Sequence, residues 1–474
     1  MFIGKSNCKS QTLLLPNSID DMVPEDYPVR TLDEIVEQMD HSELLRKYKG
    51  GGAPAYHPVM MLKILIYAYS IGVRSSRKIN ELTTYDTRFM YLAGMEKPDF
   101  RTICRFRRNN ADTVNRVFEE TVKIGYTMGL VLLDHVSVDG TKIEANVSGK
   151  ETYSMKRADE SLEKIKNRIA TILEEAERAD REEDARYGDR MGNEVPEDLK
   201  KASARKKRLE EIKKKMEETG RQTLCATDPD SRVMKTKSGN RAAYNAQAAV
   251  DGKNQFIVAA DVTQSENDCG ELVPMIERVE KNTGAMPKTV TADSGYHSQE
   301  NLQYASDKGL NAYVPEKNNR IEFRYDADKD EYVCPAGKAL KYRCNNRNRH
   351  GKLYRVYRCA DCAGCEFAKS CQGIGRGKKP RNHRDLSILE GTDMTLREEM
   401  QMKVKSKKGK LIYALRKIIV EPVFGDIKFN MNLAKFLLRG LEGVRIEFLL
   451  GCIAHNLKKM MAFWMGWKKK LAIV

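Results

Sequence analysis

The sequence predicts a mixed α/β (α+β) protein with a helical N-terminal part, a mixed sheet core and two inserted segments. Apolar residues recur at helical spacing through the first part of the chain. From residue 136 onward, β-rich runs and helical runs follow in the order β, β, β, α, β, α, β, which is typical of a mixed sheet. Two stretches, 150–222 and 321–410, depart from both patterns because the first is densely charged and the second is rich in cysteine.

Length and charge narrow the class of protein. The 474 residues are enough for several domains of about 100–200 residues each. With 83 basic and 67 acidic residues the net charge is +16, which favours a polyanionic partner, nucleic acid first. A hydrophobic content of 41% argues against wholesale disorder. No uncharged apolar run reaches about 18 residues and no signal-peptide pattern is present, so we expect no membrane association and an intracellular location.

Residues 1–130 are predicted to form a helical domain that ends in a basic helix. Asp99 can cap a helix in which apolar positions alternate with four arginines. Short helices, tight turns and a basic last helix are typical of a helix-turn-helix-like DNA-binding unit. An ordinary helical domain with a solvated arginine face is the alternative. The four candidate DNA-contacting residues are Arg101, Arg105, Arg107 and Arg108.

The sheet core is predicted over residues 131–320 and 411–474, interrupted by a charged helical hairpin at 150–222. Alternating Lys, Arg and Glu with almost no aromatic residues favour two long solvated helices that act as a spacer. An arm that contacts DNA or a second copy of the chain is the alternative. Asp251-Gly252 lies between two strand patterns and predicts a hairpin turn.

Two aspartates stand at predicted strand ends before glycine turns. These are Asp139, followed by Gly140, and Asp293, followed by Ser294-Gly295. A carboxylate at a strand end faces the crevice where such sheets bind ligands. Two such groups and a third acid could hold two hard divalent cations about 3.5–4 Å apart. These cations would activate the attacking oxygen and stabilise the leaving oxygen of a phosphodiester. Asp-Gly and Asp-Ser-Gly are also ordinary turn formers. Asp134 and Asp261 rank lower, because Asp134 precedes its strand and Asp261 lacks the glycine turn.

A helix predicted from Leu411 supplies the third acid. Glu421 lies among apolar residues, so its charge is paired, bound to a metal, or caps a helix that begins at Pro422. Lys428 follows seven residues later, two turns along the same face of an α-helix, where it could reach a phosphate. A kinked helix with a partly buried glutamate is the alternative.

The cysteine-rich segment, 321–410, predicts a metal-binding insertion followed by a basic linker. Four thiolates suffice for a structural Zn²⁺, and the Cys-x-x-Cys-x-x-Cys spacing favours such a site. The ligand set chosen is Cys334, either Cys359 or Cys362, Cys365 and Cys371. An iron–sulfur cluster and unligated reduced cysteines remain alternatives.

These motifs together resemble the DDE transposases of bacterial insertion sequences over residues 55–460. Residues 138–146 resemble the family's first-Asp block, 292–296 its second-Asp block and 420–428 its Glu block. Residues 58–108 are similar to its N-terminal helical domain.

The resemblance implies a ribonuclease-H-like core in which Asp139, Asp293 and Glu421 bind two Mg²⁺ (or Mn²⁺) ions. A related subgroup carries a Tyr, Arg, Glu, Lys signature, which Tyr413, Arg416, Glu421 and Lys428 fill here; Lys417 is the alternative to Arg416. The resemblance also implies double-stranded DNA as partner (element ends and target), a homodimer or larger synaptic assembly, and a bacterial cytoplasmic location, with nucleoid association when DNA is bound.

The function expected is that of a transposase that binds terminal inverted repeats, cuts at the element ends and joins the freed 3′-hydroxyl to target DNA. Two alternatives remain. One is an inactive or repurposed transposase-derived DNA-binding protein, and the other is a related nuclease that cuts without joining.

Overall fold

The computed structural model describes residues 18–48, 55–187, 197–316, 323–348, 351, 353–372, 379–390 and 394–471. Its fold is mixed α/β, as predicted, with antiparallel and parallel strand pairs. None of the described helices combines the length and the apolar character needed to span a membrane.

Helices occupy the N-terminal part of the chain. They are α1 (Pro28–Glu37), α2 (Ser42–Arg46), α3 (Pro58–Ser70), α4 (Ser76–Tyr85), α5 (Thr87–Ala93), α6 (Phe100–Asn109) and α7 (Ala111–Thr127). Helix α3 is buried almost throughout because nearly all of its residues are apolar, and Pro58 starts it without losing a helical hydrogen bond. The predicted cap of α6 is confirmed, since the Asp99 carboxylate accepts the backbone N–H groups of Arg101 and Thr102 at 2.7 and 3.1 Å.

The charged stretch forms two packed helices between short strands. In chain order the elements are β1 (Val136–Glu144), β2 (Thr152–Ser154), α8 (Met155–Tyr187), α9 (Glu197–Thr219) and β3 (Thr223–Cys225). Apolar residues of both helices, among them Leu162, Ile165, Leu209 and Ile212, form one buried cluster. The charges lie outside that cluster, where Lys213 pairs with Asp159 at 2.7 Å.

An antiparallel sheet follows, built around one long strand. The elements are β4 (Arg232–Thr236), β5 (Gly239–Asp251), β6 (Phe256–Thr263) and α10 (Leu272–Thr283). Strand β5 pairs with β1, β4 and β6, and Asp251-Gly252 begins the predicted turn into β6. Alanines at 246, 248 and 249 are fully buried, since small side chains let helices pack closely on the sheet.

A parallel strand pair carries the second predicted aspartate. The elements are β7 (Thr289–Ala292), α11 (Gln299–Asp307) and β8 (Asn311–Tyr313), with a 3₁₀ turn over Ser294–Tyr296 after β7. Strands β7 and β8 run parallel because α11 returns the chain to the starting side.

The cysteine-rich segment folds as a five-stranded antiparallel sheet in the order β13-β12-β11-β10-β9. Its elements are β9 (Arg324–Asp326), β10 (Glu331–Val333), β11 (Ala339–Arg347), β12 (Leu353–Cys359), α12 (Ala368–Cys371) and β13 (Arg384–Leu389). Helix α13 (Met394–Lys405) follows. Within the segment predicted as a basic linker, residues 384–389 form a strand that pairs with β12 and residues 394–405 form a helix that packs on α11 and β8.

Three helical segments and a long C-terminal helix complete the chain. They are α14 (Lys407–Ile419), α15 (Glu421–Gly425), a π-helical turn over Asp426–Asn430, and α16 (Leu441–Leu471). The apolar face of α16 is buried and packs against α3, α7 and β6. The Asn456 side chain bridges to the backbone of Ile257, accepting its N–H and donating to its carbonyl.

The chain divides into two compact units. The first unit contains Met1–Glu266, Met275–Pro287 and Lys417–Val474, and the second contains Asn267–Pro274 and Lys288–Arg416. The domain boundaries predicted from the sequence divide the chain differently and stay a prediction.

Candidate active site

Asp139 lies in the middle of strand β1, not at its end. All nine residues of β1 pair with β5, and Asp139 stands opposite Ala248. The predicted turn at Gly140 is absent because this continuous pairing holds the glycine in the strand. The carboxylate is half-buried, and its Oδ1 accepts the Gly140 N–H at 3.0 Å. A central strand therefore holds Asp139 more firmly than a turn would.

The far end of β1 is tied to the segment that leads into α16. The Glu144 N–H donates to the carbonyl of Ala434 at 3.3 Å, and the Phe436 N–H donates to the carbonyl of Glu144 at 2.8 Å. Asn146 adds a side-chain hydrogen bond to the Leu437 carbonyl at 2.7 Å. The first-Asp block and the residues just after the Glu block thus share backbone pairing, although they are far apart in sequence.

The Glu421 segment differs from the continuous α-helix that the sequence predicts. Helix α14 ends at Ile419, the short α15 begins at Glu421, and a π-helical turn follows from Asp426. Buried Val423, Phe424 and Ile427 fix this segment to the first unit. Glu421 itself is exposed, so the partly buried glutamate of the alternative interpretation is not observed. Because the π turn changes the residue spacing, Glu421 and Lys428 do not keep the regular α-helical relation that was predicted.

Lys428 reaches the strand that carries Asp139. Its ammonium donates to the Thr141 hydroxyl and, at 3.2 Å, to the Lys142 carbonyl. Thr141 stands two residues after Asp139 and therefore shares its face of β1. Burial and the neighbouring Lys237 lower the pKa of Lys428, while the Asp139 carboxylate opposes that shift. Lys428 is thus a half-buried cation within electrostatic range of Asp139.

The π-helical turn is held by ionic contacts to α16. Asp426 Oδ2 lies 2.9 Å from His455 Nδ1, and its two oxygens lie 3.1 and 3.3 Å from Lys458 Nζ. The hydrogen bond from His455 is the main reason that the pKa of Asp426 lies well below its ordinary value. His455 Nε2 lies 2.9 Å from the Gln255 carbonyl oxygen, so both ring nitrogens face acceptors.

A glycine at the α3–α4 turn also fits against the π-helical turn. Gly72 has φ +76°, and a Cβ at this position would lie 2.7 Å from the Asn430 carbonyl oxygen. Any larger residue would meet both backbone strain and a backbone clash. The helical N-terminal part therefore supports the Glu421 segment directly.

Asp293 belongs to the second unit, and its predicted place at a strand end is observed. It follows β7 and caps the 3₁₀ turn, with Oδ1 accepting the Gly295 N–H at 2.7 Å. A Cβ on Gly295 would lie 2.8 Å from Asp293 Oδ1 and 3.4 Å from Asp268 Oδ2. A side chain at this position would therefore displace the Asp293 carboxylate, and Asp268 is a second carboxylate near Gly295 that the sequence reasoning missed. No motif marks Asp268, because its proximity depends on the chain folding back before α10.

Tyr413 and Arg416 lie together on α14 in the second unit. The Arg416 guanidinium carbon is 5.9 Å from the centre of the Tyr413 ring, a cation–π contact. Lys417, the alternative to Arg416, is exposed. The contact gives Arg416 a defined position on α14.

The rival aspartates have other surroundings. Asp261 is engaged by Arg278 at 2.6 Å and Arg445 at 2.9 Å, which accounts for its charge structurally. Asp134 is exposed and precedes β1. Neither observation favours them over Asp139 and Asp293.

Five cysteines line one small cavity in the second unit. The cavity measures about 20 Å³, and its lining includes Cys334, Cys359, Cys362, Cys365 and Cys371. Cys362 and Cys365 flank Gly364, whose φ of +67° lets the chain turn tightly between them. Burial and the neighbouring Cys359 raise the pKa of the Cys362 thiol to about 12. Cys344, the sixth cysteine of the segment, is exposed on β11 and does not line the cavity.

The four predicted arginines of α6 divide into two kinds. Arg101, Arg105 and Arg108 are exposed. Arg107 is only 4% exposed, and its guanidinium donates to the Tyr69 hydroxyl and to the Arg74 carbonyl, both at 3.0 Å. A DNA contact is therefore not supported for Arg107, which instead fixes α6 to α3.

Within the described ranges, no group of three or more His, Cys, Asp or Glu side chains is arranged to hold a metal ion. The metal ligands named from the sequence consequently stay predictions.

Two parts of the chain match known protein families. Residues 333–461 match a family described as a transposase DDE domain, and residues 17–109 match one described as a transposase domain (DUF772). The first match contains Glu421, Lys428 and the cavity cysteines, and the second contains α1 to α6. No curated protein matches the chain.

The two matches indicate a transposase, a class of protein whose substrate is DNA. They confirm the resemblance to the DDE transposases of insertion sequences that the motifs carry.

Proposed function

We propose that this transposase binds the terminal inverted repeats of an insertion sequence and catalyses metal-dependent DNA cleavage and strand transfer. The observation that carries this proposal is the contact of Lys428 with β1 beside Asp139. It brings the first-Asp block and the Glu block into one unit, with a cation placed to meet a phosphate. The alternatives are an inactive DNA-binding relative and a nuclease that cuts without joining.

The proposed catalytic acids are Asp139, Asp293 and Glu421. Their carboxylate oxygens are the donor type that Mg²⁺ or Mn²⁺ prefers. Bound divalent ions would stabilise charge on the attacking and leaving oxygens of a phosphodiester. Asp139 is suited to this role because a central strand fixes it, and Glu421 because its carboxylate is exposed.

Two basic side chains would bind phosphate groups of the DNA. Lys428, held by Thr141 and by the Lys142 carbonyl, would pair with a phosphate oxygen near Asp139. Arg416, positioned by Tyr413, would hold a second phosphate. Water is the attacking group in cleavage, and the freed 3′-hydroxyl is the attacking group in joining. Because two element ends must be joined, we propose that at least two copies of the chain act together.

Asp139→Asn tests the catalytic assignment. We expect it to reduce both cleavage and joining of end-containing duplex DNA in Mg²⁺ by more than about 100-fold, since losing a direct metal ligand exceeds the effect of losing an outer partner. Asp134→Asn is the matched control, because it removes the same charge from an exposed position just before β1. Full activity of Asp139→Asn would refute the assignment. Cleavage without joining in the wild type would favour the nuclease alternative. If the wild type neither cleaves nor joins DNA, the inactive DNA-binding alternative is favoured.

We also propose that the cysteine cavity holds a structural Zn²⁺ through Cys334, either Cys359 or Cys362, Cys365 and Cys371. Five cysteines line one small cavity, and four thiolates are the number that a tetrahedral zinc site needs. Elemental analysis should find one zinc per chain, lost in Cys371→Ser and kept in Cys344→Ser, whose cysteine lies outside the cavity. Iron with visible absorbance would point to an iron–sulfur cluster. Absence of metal from the wild type and from Cys344→Ser would refute the site.

A further inference from the structure

An arginine-lined groove lies between the start of α4 and the exposed face of α6. It encloses about 470 Å³, and among the described residues its lining has six arginines and no acidic side chain. Four of them, Arg77, Arg101, Arg105 and Arg108, are exposed and form the rim of the groove. Arg77 belongs to α4 and was not among the DNA-contacting residues predicted from the sequence. The rim therefore draws positive charge from two helices.

The other two arginines form a buried floor. Arg74 and Arg107 are 7% and 4% exposed, and the buried Nε atom of each has no hydrogen-bond partner in the part of the chain that the structure describes. One carboxylate lies behind them, Glu447, whose Oε1 is 2.7 Å from Arg74. Two guanidinium groups and the Glu447 carboxylate leave a net positive charge in the floor, which favours an anionic ligand held at the rim above it.

The start of α4 adds to this charge. Ser75 and Ser76 line the groove at the N-terminus of α4, and Ser75 makes no side-chain capping bond. The positive end of the helix dipole is therefore directed at the groove, a usual setting for a phosphate.

Phe100, an aromatic residue of the groove lining, is already in contact with two arginines. The guanidinium carbons of Arg77 and Arg101 lie 5.2 and 5.8 Å from the centre of the Phe100 ring. Proteins that bind single strands need open aromatic faces on which bases stack. Here the ring is used to orient two arginines, which favours contact with phosphates over contact with bases.

We propose that this groove is a sequence-independent clamp for consecutive phosphates of duplex DNA, formed by Arg77, Arg101, Arg105 and Arg108. The inference rests on the proposed DNA-binding function and assigns the groove to backbone holding. Glu447 in the floor also accepts the N–H groups of Leu437 and Leu438, and the segment just before them pairs with the end of β1. DNA held in the groove is thus fixed relative to the strand that carries Asp139.

Arg77→Gln in the full-length protein tests the clamp, and Lys78→Gln is its matched control. Lys78 is the next residue of α4, carries the same charge and does not line the groove. Anisotropy would measure binding to two duplexes of equal length, one from the flank of the coding region and one scrambled, over a range of salt. We expect Arg77→Gln to weaken binding to both duplexes by the same factor, roughly fivefold, and to lower the salt slope by about 0.9. Lys78→Gln should bind as the wild type does.

Cys104, which also lines the groove, provides a local readout. Its alkylation by iodoacetamide, followed by peptide mass spectrometry, should slow when either duplex is bound. An unchanged salt slope in Arg77→Gln, a loss confined to the flank duplex, or unprotected Cys104 would each overturn the clamp. Failure of the catalytic assignment is distinguishable, because Asp139→Asn would then stay active while the clamp still bound DNA.

Discussion

Two ionic networks hold the two functional segments of the first unit, and they differ in how far water reaches them. The Glu447 network lies under the arginine groove, with Glu447 0% exposed and its oxygens bonded to Arg74, Leu437 and Leu438. The Asp426 network lies under the Glu421 segment, with the Asp426 and Lys458 side chains 18% and 36% exposed.

The arginine groove and the Glu421 segment are therefore held by contacts that respond differently to the solution. The charges of the Glu447 network are enclosed, so salt screens the Arg74–Glu447 contact much less than it screens surface ion pairs. The Asp426 network is open to protons and ions, so the Glu421 segment is held by contacts that solution conditions can weaken. The proposed DNA-holding surface is thus supported by the less exposed of the two networks, and the segment with the proposed catalytic glutamate by the more exposed one.

Glu447→Gln should have the largest effect on stability. It keeps the shape of the side chain but leaves the buried Arg74 without its counter-charge, which we expect to cost about 3–5 kcal/mol. Urea unfolding can be followed by tryptophan fluorescence, because both tryptophans of the chain, Trp464 and Trp467, lie in α16. Glu442→Gln, at an exposed position of the same helix, should unfold as the wild type does. Equal stability of the two variants would remove the distinction between the networks.

Asp426→Asn should have a smaller and pH-dependent effect. The pKa of Asp426 is lowered in the folded protein, mainly by His455, so its stabilisation is present above the ordinary carboxyl pKa and is lost as the pH falls through the folded value. We expect the free energy of unfolding to fall by about 1–3 kcal/mol near pH 7. The difference from the wild type should shrink below about pH 4. Urea midpoints across that range measure it. A gap that stays constant at low pH would mean that the carboxylate charge is not what stabilises this turn.

The sequence predicts well those features that depend only on neighbouring residues. The cap of α6 by Asp99, the turn at Asp251-Gly252 and the buried stripe of α16 follow from short-range pattern, and each is present. The same reasoning placed Asp139 at a strand end, because Gly140 suggests a turn. Pairing along the whole of β1 prevails over that local preference.

The long-range parts could not be predicted. Arg107 has the sequence setting of a DNA-contacting residue, yet Tyr69 and the Arg74 carbonyl bury it. The partners Arg74 and Glu447 are separated by more than three hundred residues, and no spacing rule relates them. The π turn after Glu421 depends on contacts of Asp426 with α16, which a helical pattern does not show.

Tyr69→Phe should produce the smallest effect and show whether the Glu447 network acts as one unit. It removes a single hydroxyl that accepts from Arg107, while the Arg74 carbonyl still accepts from the same nitrogen. We expect the free energy of unfolding to fall by about 1 kcal/mol, the usual net contribution of a buried hydrogen bond. If the contacts are coupled, the double variant Tyr69→Phe/Glu447→Gln should lose less than the sum of the single variants in urea unfolding. Strict additivity would show that Arg107 and Arg74 are held independently, and that the floor of the groove is two separate contacts.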